Sequence, residues 1–558
     1  FKVLNFKVLK QIYHISTLLS RKNLKKKGVI IMTTTMMISI PMLICFFALM
    51  IGVGFYCRKN ATNVDGFVLG GRSVGPWLTA FAFGTSYFSA VIFVGYAGQF
   101  GWNFGLASTW IGLGNAFIGS LLAWSVLGRR TRVMTQHLDS KTMPDFFEKR
   151  YDSNSLKIVS SIIVFVFLIP YTASLYNGLS SLFNNVFSIP YWAVVIVMAV
   201  LTGIYVIFGG YMATAINDFI QGIIMLVGIV AVIAAVLIKN GGFTQAVATL
   251  TQEAGAEYTS IFGPNPIFLF FVVVLTSLGT WGLPQMVGKF YSIKDEGSIK
   301  KGTIISTIFA IIVAGGCYFL GGFGRLYKEE MIASGFISNT GAVMFDKVVP
   351  TILSDLAPVI VALVIVLVLS ASMSTLSSLV LTSSSTLTLD VIKPRLEKKK
   401  AVDDKKSIFI LRVFIVFFIA ISAIIAILKD SIWKESVFIA QMMGVSWGAL
   451  AGAFLAPFLY GLYWKKTTKA AVVTSFIFGT GLEIVQLLIS IGLFKPTTPI
   501  LSFIFTNSLY SGVFAMVSGL VLVPIVSLLT QKTLPKNVDE KFSCYNATVT
   551  TKVTNSLG

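Results

Sequence analysis

Charge is scarce in this chain: Asp, Glu, Lys and Arg make up 12% of its 558 residues, and hydrophobic residues 55%. A soluble domain needs roughly a quarter of its residues charged, so this composition argues against one. Histidine is rarer still, with His14 and His137 alone, and a histidine-based metal centre has no material. The four cysteines, Cys45, Cys57, Cys317 and Cys544, are unpaired by spacing and read as small packing residues, not as a disulfide frame or metal site. No Walker A loop is present, which argues against ATP-driven transport by this chain alone. No pattern argues for an enzyme.

Acid is missing altogether from residues 1–31, which hold eight Lys or Arg and no initiator Met. They could form a basic segment on a membrane surface. However, Lys26-Lys27-Gly28-Val29, just before Met32, is what a purine-rich ribosome-binding sequence encodes when read in frame. Residues 1–31 are therefore expected to be a non-native upstream extension, with Met32, Met36 or Met37 as the start.

What the chain has in abundance is long apolar runs, the mark of a polytopic helical membrane protein. Thirteen transmembrane helices are expected, at about 37–57, 75–96, 106–128, 158–183, 190–208, 213–238, 266–288, 303–324, 350–388, 408–428, 435–463, 470–493 and 502–530. A polar tail, 531–558, follows. The formal charge of +21 would suggest nucleic acid, but the basic residues sit in loops and no nucleic-acid partner is expected. Setting 1–31 aside, 29 of them fall in alternate loops and the tail, against seven in the other loops. Positive residues stay inside, so the mature N-terminus is expected outside and the C-terminus in the cytoplasm of a multi-pass plasma-membrane protein. On this reading no Lys or Arg lies within a core span, Arg412 at the start of 408–428 being counted with the loop before it.

Two spans carry breakers at matching places. The second holds Phe83-Gly-Thr-Ser-Tyr-Phe-Ser-Ala90, and the seventh holds Leu278-Gly-Thr-Trp-Gly-Leu-Pro-Gln285. Spans two to six (75–238) and seven to eleven (266–463) number five each. Five is odd, so the second set must lie inverted relative to the first. Interrupted helices at equivalent positions of inverted repeats point to a transporter's midplane binding site. Ordinary glycine-mediated helix packing is the competing explanation. Helix 37–57 and helices 470–530 flank the repeats.

The ninth span turns into a run dense with Ser and Thr, from Ala371 to Asp390. Helical hydroxyls often bond to their own backbone, and Ser384 is read that way. The adjacent pair Ser374 and Thr375 differs, because it lies one turn after the small residue Ala371 on the same helix face. Two hydroxyls and a loosened carbonyl would form half of an oxygen cage for a small hard cation. A broken helix must supply the rest.

Met373-Ser-Thr-Leu-Ser377, with Ser384-Ser385 and Asp390, resembles the ninth span of the sodium:solute symporter family, in particular its proline and pantothenate permeases. Leu69-Gly-Gly-Arg-Ser-Val-Gly-Pro-Trp-Leu-Thr-Ala80, Gly209-Gly-Tyr-Met-Ala-Thr-Ala-Ile-Asn-Asp-Phe-Ile-Gln-Gly222 and Gly461-Leu-Tyr-Trp-Lys-Lys466 are similar to further family signatures, in the same order. The resemblance implies an all-α, leucine-transporter-type five-plus-five inverted repeat with flanking helices. It implies sodium-coupled symport of a small organic solute into the cell by alternating access, with Na+ as coupling ion and no organic cofactor. Carried over, the sodium ligands are the carbonyls of Thr85 and Phe88 with Ala371, Ser374 and Thr375, and Asp218 lies on the sodium pathway. An acid within a span costs roughly 2.5–3.5 kcal/mol to insert, so a function is its default reading. Capping of the sixth span is the alternative. The solute is placed beside Ser89, Ile92, Thr280, Trp281, Pro284 and Gln285, although Trp281 could equally be core. Glu483 is read as packing or interhelical bonding.

Departures from the family pattern bear on the solute. Tyr87 stands where proline permeases carry an acid, Ala90-Val91 replaces their Gly-Trp, and Ile92 stands where sugar transporters of the family place Gln. An amino acid or small carboxylate is favoured over a sugar or sialic acid. A proton-coupled carrier and a transporter-like sensor are the remaining alternatives. Oligomeric state is left open, a monomer included. The charge split makes one expectation testable. A cysteine placed in the 394–404 loop of a cysteine-free background should react with a membrane-impermeant maleimide in inside-out vesicles and not in intact cells.

Overall fold

The computed structural model describes residues 33–187, 189–354, 356–432 and 439–546. The expectation for residues 1–31, and the end of the polar tail, lie outside them. The described chain is all helical; its only β contacts are two isolated bridges. That is what a bilayer demands, since a helix satisfies its own backbone groups where water cannot.

Ten helices are long and apolar enough to cross a membrane, eleven if the bent pair Pro266–Gly282 and Pro284–Ser292 forms one span. Three of the ten exceed one crossing in length, Pro358–Glu397 with 40 residues and two that are longer still. Val91–His137 has 47 residues and Tyr191–Lys239 has 49, the latter about 74 Å as a continuous helix against a hydrocarbon layer of about 30 Å. Each contains a glycine with left-handed backbone, Gly105 (φ 60°) and Gly210 (φ 54°), where a side chain would be strained. Dividing both helices there would give thirteen spans, the number read from the sequence. The ninth span starts later than expected, at Pro358, and a separate short helix, Val348–Ser354, precedes it. The second crossing continues past 96 to Phe104.

Burial separates the centre of the bundle from its edge. In Met442–Tyr463 and Pro358–Glu397, 94% and 83% of the most apolar window is buried, against 28% in Thr34–Asn60. A helix apolar all round and buried all round belongs at the core. Helix Pro358–Thr386, which carries the hydroxyl run, packs against the long helix Tyr191–Lys239, the helix Asn154–Phe187 and the first broken helix.

Both breaks have nearly the same backbone. Helix Pro76–Tyr87 ends at Phe88 (φ −84°, ψ 108°), and Leu283 (φ −84°, ψ 119°) separates Gly279–Gly282 from Pro284–Ser292. The entry to the first broken helix is tied to the exit of the second. Val74 N donates to Ser292 O (3.1 Å) and Lys294 N donates to Val74 O (3.0 Å). A start bonded to an end means that the two broken helices run in opposite directions. Arg72 braces the joint by donating to Tyr291 O (3.3 Å) and Ser140 O (2.6 Å), and Arg132 donates to Ile293 O.

Glycines set how closely the helices approach. A Cβ on Gly101 would overlap the backbone of Gly321, which cannot move aside, whereas one on Gly52 would meet nothing within 4 Å. Overpacking of this kind costs roughly 1–3 kcal/mol. Gly101→Ala should therefore lower the thermal unfolding midpoint in detergent by several degrees, and Gly52→Ala should leave it unchanged or slightly raised.

Candidate functional site

The hydroxyl pair meets the first break. Ser374 Oγ lies 3.2 Å from Thr85 O, 3.3 Å from Ala371 O and 2.8 Å from Ser370 O. Thr375 Oγ1 lies 3.2 Å from Thr85 O and 3.1 Å from Ala371 O. Thr85, Phe88, Ala371, Ser374 and Thr375 are all buried. Phe88 is the break residue itself, so its extended ψ turns its carbonyl away from the helical pattern. Two carbonyls and two hydroxyls thus converge without any formal charge, which is the donor chemistry of a small hard cation.

Asp218 is also buried, and it does not cap a helix. It lies two turns beyond the irregular Gly210, inside Tyr191–Lys239. Its Oδ2 faces Lys289 Nζ at 3.6 Å, and Lys289 Nζ donates to Ser378 Oγ at 3.0 Å. The expectation that no Lys or Arg lies within a core span is therefore wrong. Lys289 sits just past the expected end of the seventh span and was read as a loop residue. The inner half of that broken helix runs on to Ser292 and carries Lys289 indoors. Ser378 Oγ in turn contacts Ser86 Oγ at 2.7 Å, next to Thr85, so a row of polar groups joins the ion pair to the hydroxyl cage. The Ser384 reading also needs correction. Ser385 bonds to its own helix at Leu381 O, whereas Ser384 Oγ has no partner among the described residues.

The six residues placed beside the solute divide into two groups. Thr280 Oγ1 bonds to Gly119 O (3.2 Å) and Ser277 O (2.9 Å), and Trp281 Nε1 donates to Ile118 O (3.0 Å). Both polar groups are engaged by neighbouring helix backbone. Pro284 and Gln285 instead line a narrow cavity of about 50 Å³, with Tyr211, Lys289 and Ser378, reaching Lys141 and Thr142 in a basic loop. Gln285 has neither side-chain atom hydrogen-bonded. Ile92 is buried in a π-helical turn, Val91–Tyr96, just after the first break. Ser89 is buried beside it with an unpartnered hydroxyl.

The sequence reading missed an aromatic cluster at this point. The Tyr87 ring lies 5.8 Å from Trp447 and the Tyr171 ring 6.1 Å from it, and the Tyr171 hydroxyl faces Ser89 and Trp447. Apart from the approach of the Tyr171 hydroxyl to Ser89 and Trp447, the buried Tyr87 Oη, Tyr171 Oη, Trp447 Nε1 and Ser89 Oγ have no hydrogen-bond partner among the described residues. Buried polar atoms are nearly always paired, so four such donors together mark a place where something polar belongs. Residues from three separate helices form the cluster, and no local motif announces it.

A family model described as the sodium:solute symporter family matches residues 67–479. The chain belongs to the sodium:solute symporter family. It is a multi-pass membrane carrier whose coupling ion is sodium, and not an enzyme. Sodium/proline symporters of Staphylococcus aureus, from strains JH9 and JH1 among others, are 29% identical to it over 501 residues, which is 89% of this chain and 92% of theirs. Among solved structures, a substrate-bound, outward-open Na+-coupled sialic acid symporter superposes with a TM-score of 0.72 at 18% identity. The match covers 88% of this chain and 97% of that one, and it establishes the shared fold.

Glu483, in the family's flanking region, receives a hydrogen bond from Ser511 Oγ at 2.8 Å, in keeping with interhelical bonding. Trp281→Phe keeps the ring and removes the hydrogen bond to Ile118 O, a net loss of about 0.5–1.5 kcal/mol. The variant should unfold at a lower temperature while its half-saturating solute concentration stays within twofold of the parent.

Proposed function

We propose that this symporter carries an amino acid or small carboxylate into the cell, and that Thr85, Phe88, Ala371, Ser374 and Thr375 hold the sodium. The observation that supports it is the approach of Ser374 and Thr375 to the Thr85 and Ala371 carbonyls at 3.1–3.3 Å. Sodium sheds its water there, and each protein oxygen replaces part of the hydration shell. The titratable pair Asp218 and Lys289 lies beyond this cage rather than in it, which favours sodium over a proton as the coupled ion. Asp218 is assigned to the sodium pathway on the cytoplasmic side.

The solute is proposed to sit between Ser89, Ile92, Pro284 and Gln285, against the Tyr87, Tyr171 and Trp447 rings. Tyr87 removes the acid that proline permeases carry, and the unpartnered hydroxyls and indole N–H are neutral donors. Such a lining accommodates a carboxylate without a buried arginine. The likeness to sodium/proline symporters supports an amino acid. Thr280 and Trp281 are proposed to shape the site through the third span. Residues 75–238 and 266–463 are proposed as the inverted repeats, supported by the matched breaks and their opposed directions. The N-terminus is assigned outside and the C-terminus to the cytoplasm, from the charge split. The driving force is adequate. A tenfold sodium gradient supplies about 1.4 kcal/mol, and 100 mV adds about 2.3 kcal/mol per charge.

Losing one ligand hydroxyl should cost about 1–3 kcal/mol, or roughly five- to two-hundredfold in sodium affinity. Ser374→Ala and Thr375→Ala should each raise the sodium concentration for half-maximal uptake by that factor, and Thr375→Ser should be mild. Ser422→Ala, at a hydroxyl bonded to its own helix, should change nothing. Apparent solute affinity should fall together with sodium affinity, because coupled binding is reciprocal. Uptake into proteoliposomes at varied sodium checks all four. Unchanged sodium dependence in both alanine variants would overturn the assignment. A thermal-shift screen against amino acids, monocarboxylates, pantothenate and sugars, with and without sodium, tests the solute class.

A further inference from the structure

Helix Thr34–Cys57 lies outside the repeats and leaves most of its surface exposed, yet it buries a narrow stripe that includes Phe46, Met50, Gly54 and Cys57. Residues at this spacing share one helix face. The helix packs against both the long helix Tyr191–Lys239 and the hydroxyl-bearing helix Pro358–Thr386. Met50 anchors it: its carbonyl accepts from Asn217 Nδ2 at 3.3 Å and its sulfur from Gln221 Nε2 at 3.2 Å. One turn on, Gly54 meets Tyr205 so closely that a Cβ would stand 2.7 Å from both Tyr205 Cα and Cβ. Gly209, one turn after Tyr205, presses on the same spot, where its own Cβ would stand 2.9 Å from Gly54 O. Tyr205 is fully buried, and its hydroxyl donates to Met373 O at 3.0 Å. Met373 is the residue before Ser374.

We propose that Tyr205, seated on the first flanking helix, is a positioning residue for the sodium cage. A carbonyl oxygen has two lone pairs. Met373 O lies inside a helix, so the tyrosine takes the lone pair that the helical ladder leaves over. That bond fixes how far Pro358–Thr386 stands from Tyr191–Lys239, and how it is turned about its axis, at the turn that carries Ala371, Ser374 and Thr375. Groups that bind an ion must be held within about 0.5 Å and 10–20° of the productive geometry. Tyr205 touches no ion. It acts through Met373, as outer partners do when they orient the ligands of a metal. The missing side chain at Gly54 lets the flanking helix back Tyr205 directly, and a larger residue there must displace either the helix or the tyrosine. An element outside the repeats thereby reaches the cage.

This role rests on the sodium reading of the cage. Tyr205→Phe keeps the ring and removes only the hydroxyl. In proteoliposomes it should raise the sodium concentration for half-maximal uptake about tenfold, the low end for an outer partner, and leave the maximal rate at saturating sodium within about twofold. Gly54→Ala should raise that concentration too, whereas Gly52→Ala, whose Cβ meets nothing within 4 Å, should not. Combining Gly54→Ala with Tyr205→Phe should weaken sodium no further than Tyr205→Phe alone, because both changes act through one bond. In purified protein, the sodium concentration giving half of the sodium-induced rise in unfolding temperature should shift by the same factor, even in a variant that does not transport. A Tyr205→Phe protein that unfolds earlier at every sodium concentration but keeps the parent's sodium midpoint would reduce Tyr205 to packing and overturn the proposal. Independent, multiplying losses in the double variant would overturn its seat on the flanking helix. If Gly54→Ala cannot be purified folded, Tyr205→Phe decides. Unchanged sodium midpoints in Ser374→Ala and Thr375→Ala would instead overturn the cage assignment.

Discussion

Every peptide group in the bilayer must find a partner inside the protein, and this molecule breaks two helices in spite of that. Phe88 and Leu283 release backbone groups at a depth where lipid offers none. The rest of the bundle answers this demand. Two almost fully buried helices, Pro358–Glu397 and Met442–Tyr463, keep lipid away from the interior. The hydroxyls of the first meet the carbonyl of Thr85 beside the first break. The exposed faces of the chain, by contrast, are plain aliphatic and aromatic surface, as on Thr34–Cys57. The binding chemistry follows from the broken backbone, since groups freed from the helix are the ones able to contact an ion or solute.

Most of the architecture was legible because it depends on hydrophobic length and on glycine and proline placement, both local properties. The runs, the matched breakers and the charge bias are written in consecutive residues. The pair Ser374 and Thr375 was legible for the same reason, since one helix turn separates it from Ala371. Its partner Thr85 is 289 residues away from Ser374 and could be named only through family resemblance.

What could not be read depends on distant packing. Lys289 looked like the first residue of a basic loop, because a lysine at the end of an apolar run reads as the run's end, although the buried Phe290 and Tyr291 continue the helix beyond it. Only its apposition to Asp218 shows that it is interior. Tyr87, Tyr171 and Trp447 are unremarkable in their own helices, and their unpartnered polar atoms acquire meaning only when brought together. Trp281 illustrates the reverse case. A tryptophan at a helix break suggests a solute contact, yet its indole N–H is held by the backbone of the third span.

The joint between Val74 and Ser292–Lys294 has a genetic consequence. Its two bonds run between main-chain groups, which all amino acids except proline supply, so substitutions there leave the joint intact. Its register, however, aligns the entry of one broken helix with the exit of the other. Adding or removing one residue between Arg72 and Pro76, or between Ser292 and Glu296, would present a peptide group facing the wrong way and shift both helices against each other. Surface connections normally tolerate changes in length better than their neighbours do. These two short segments are expected to remain constant in length among related chains, even where their side chains change.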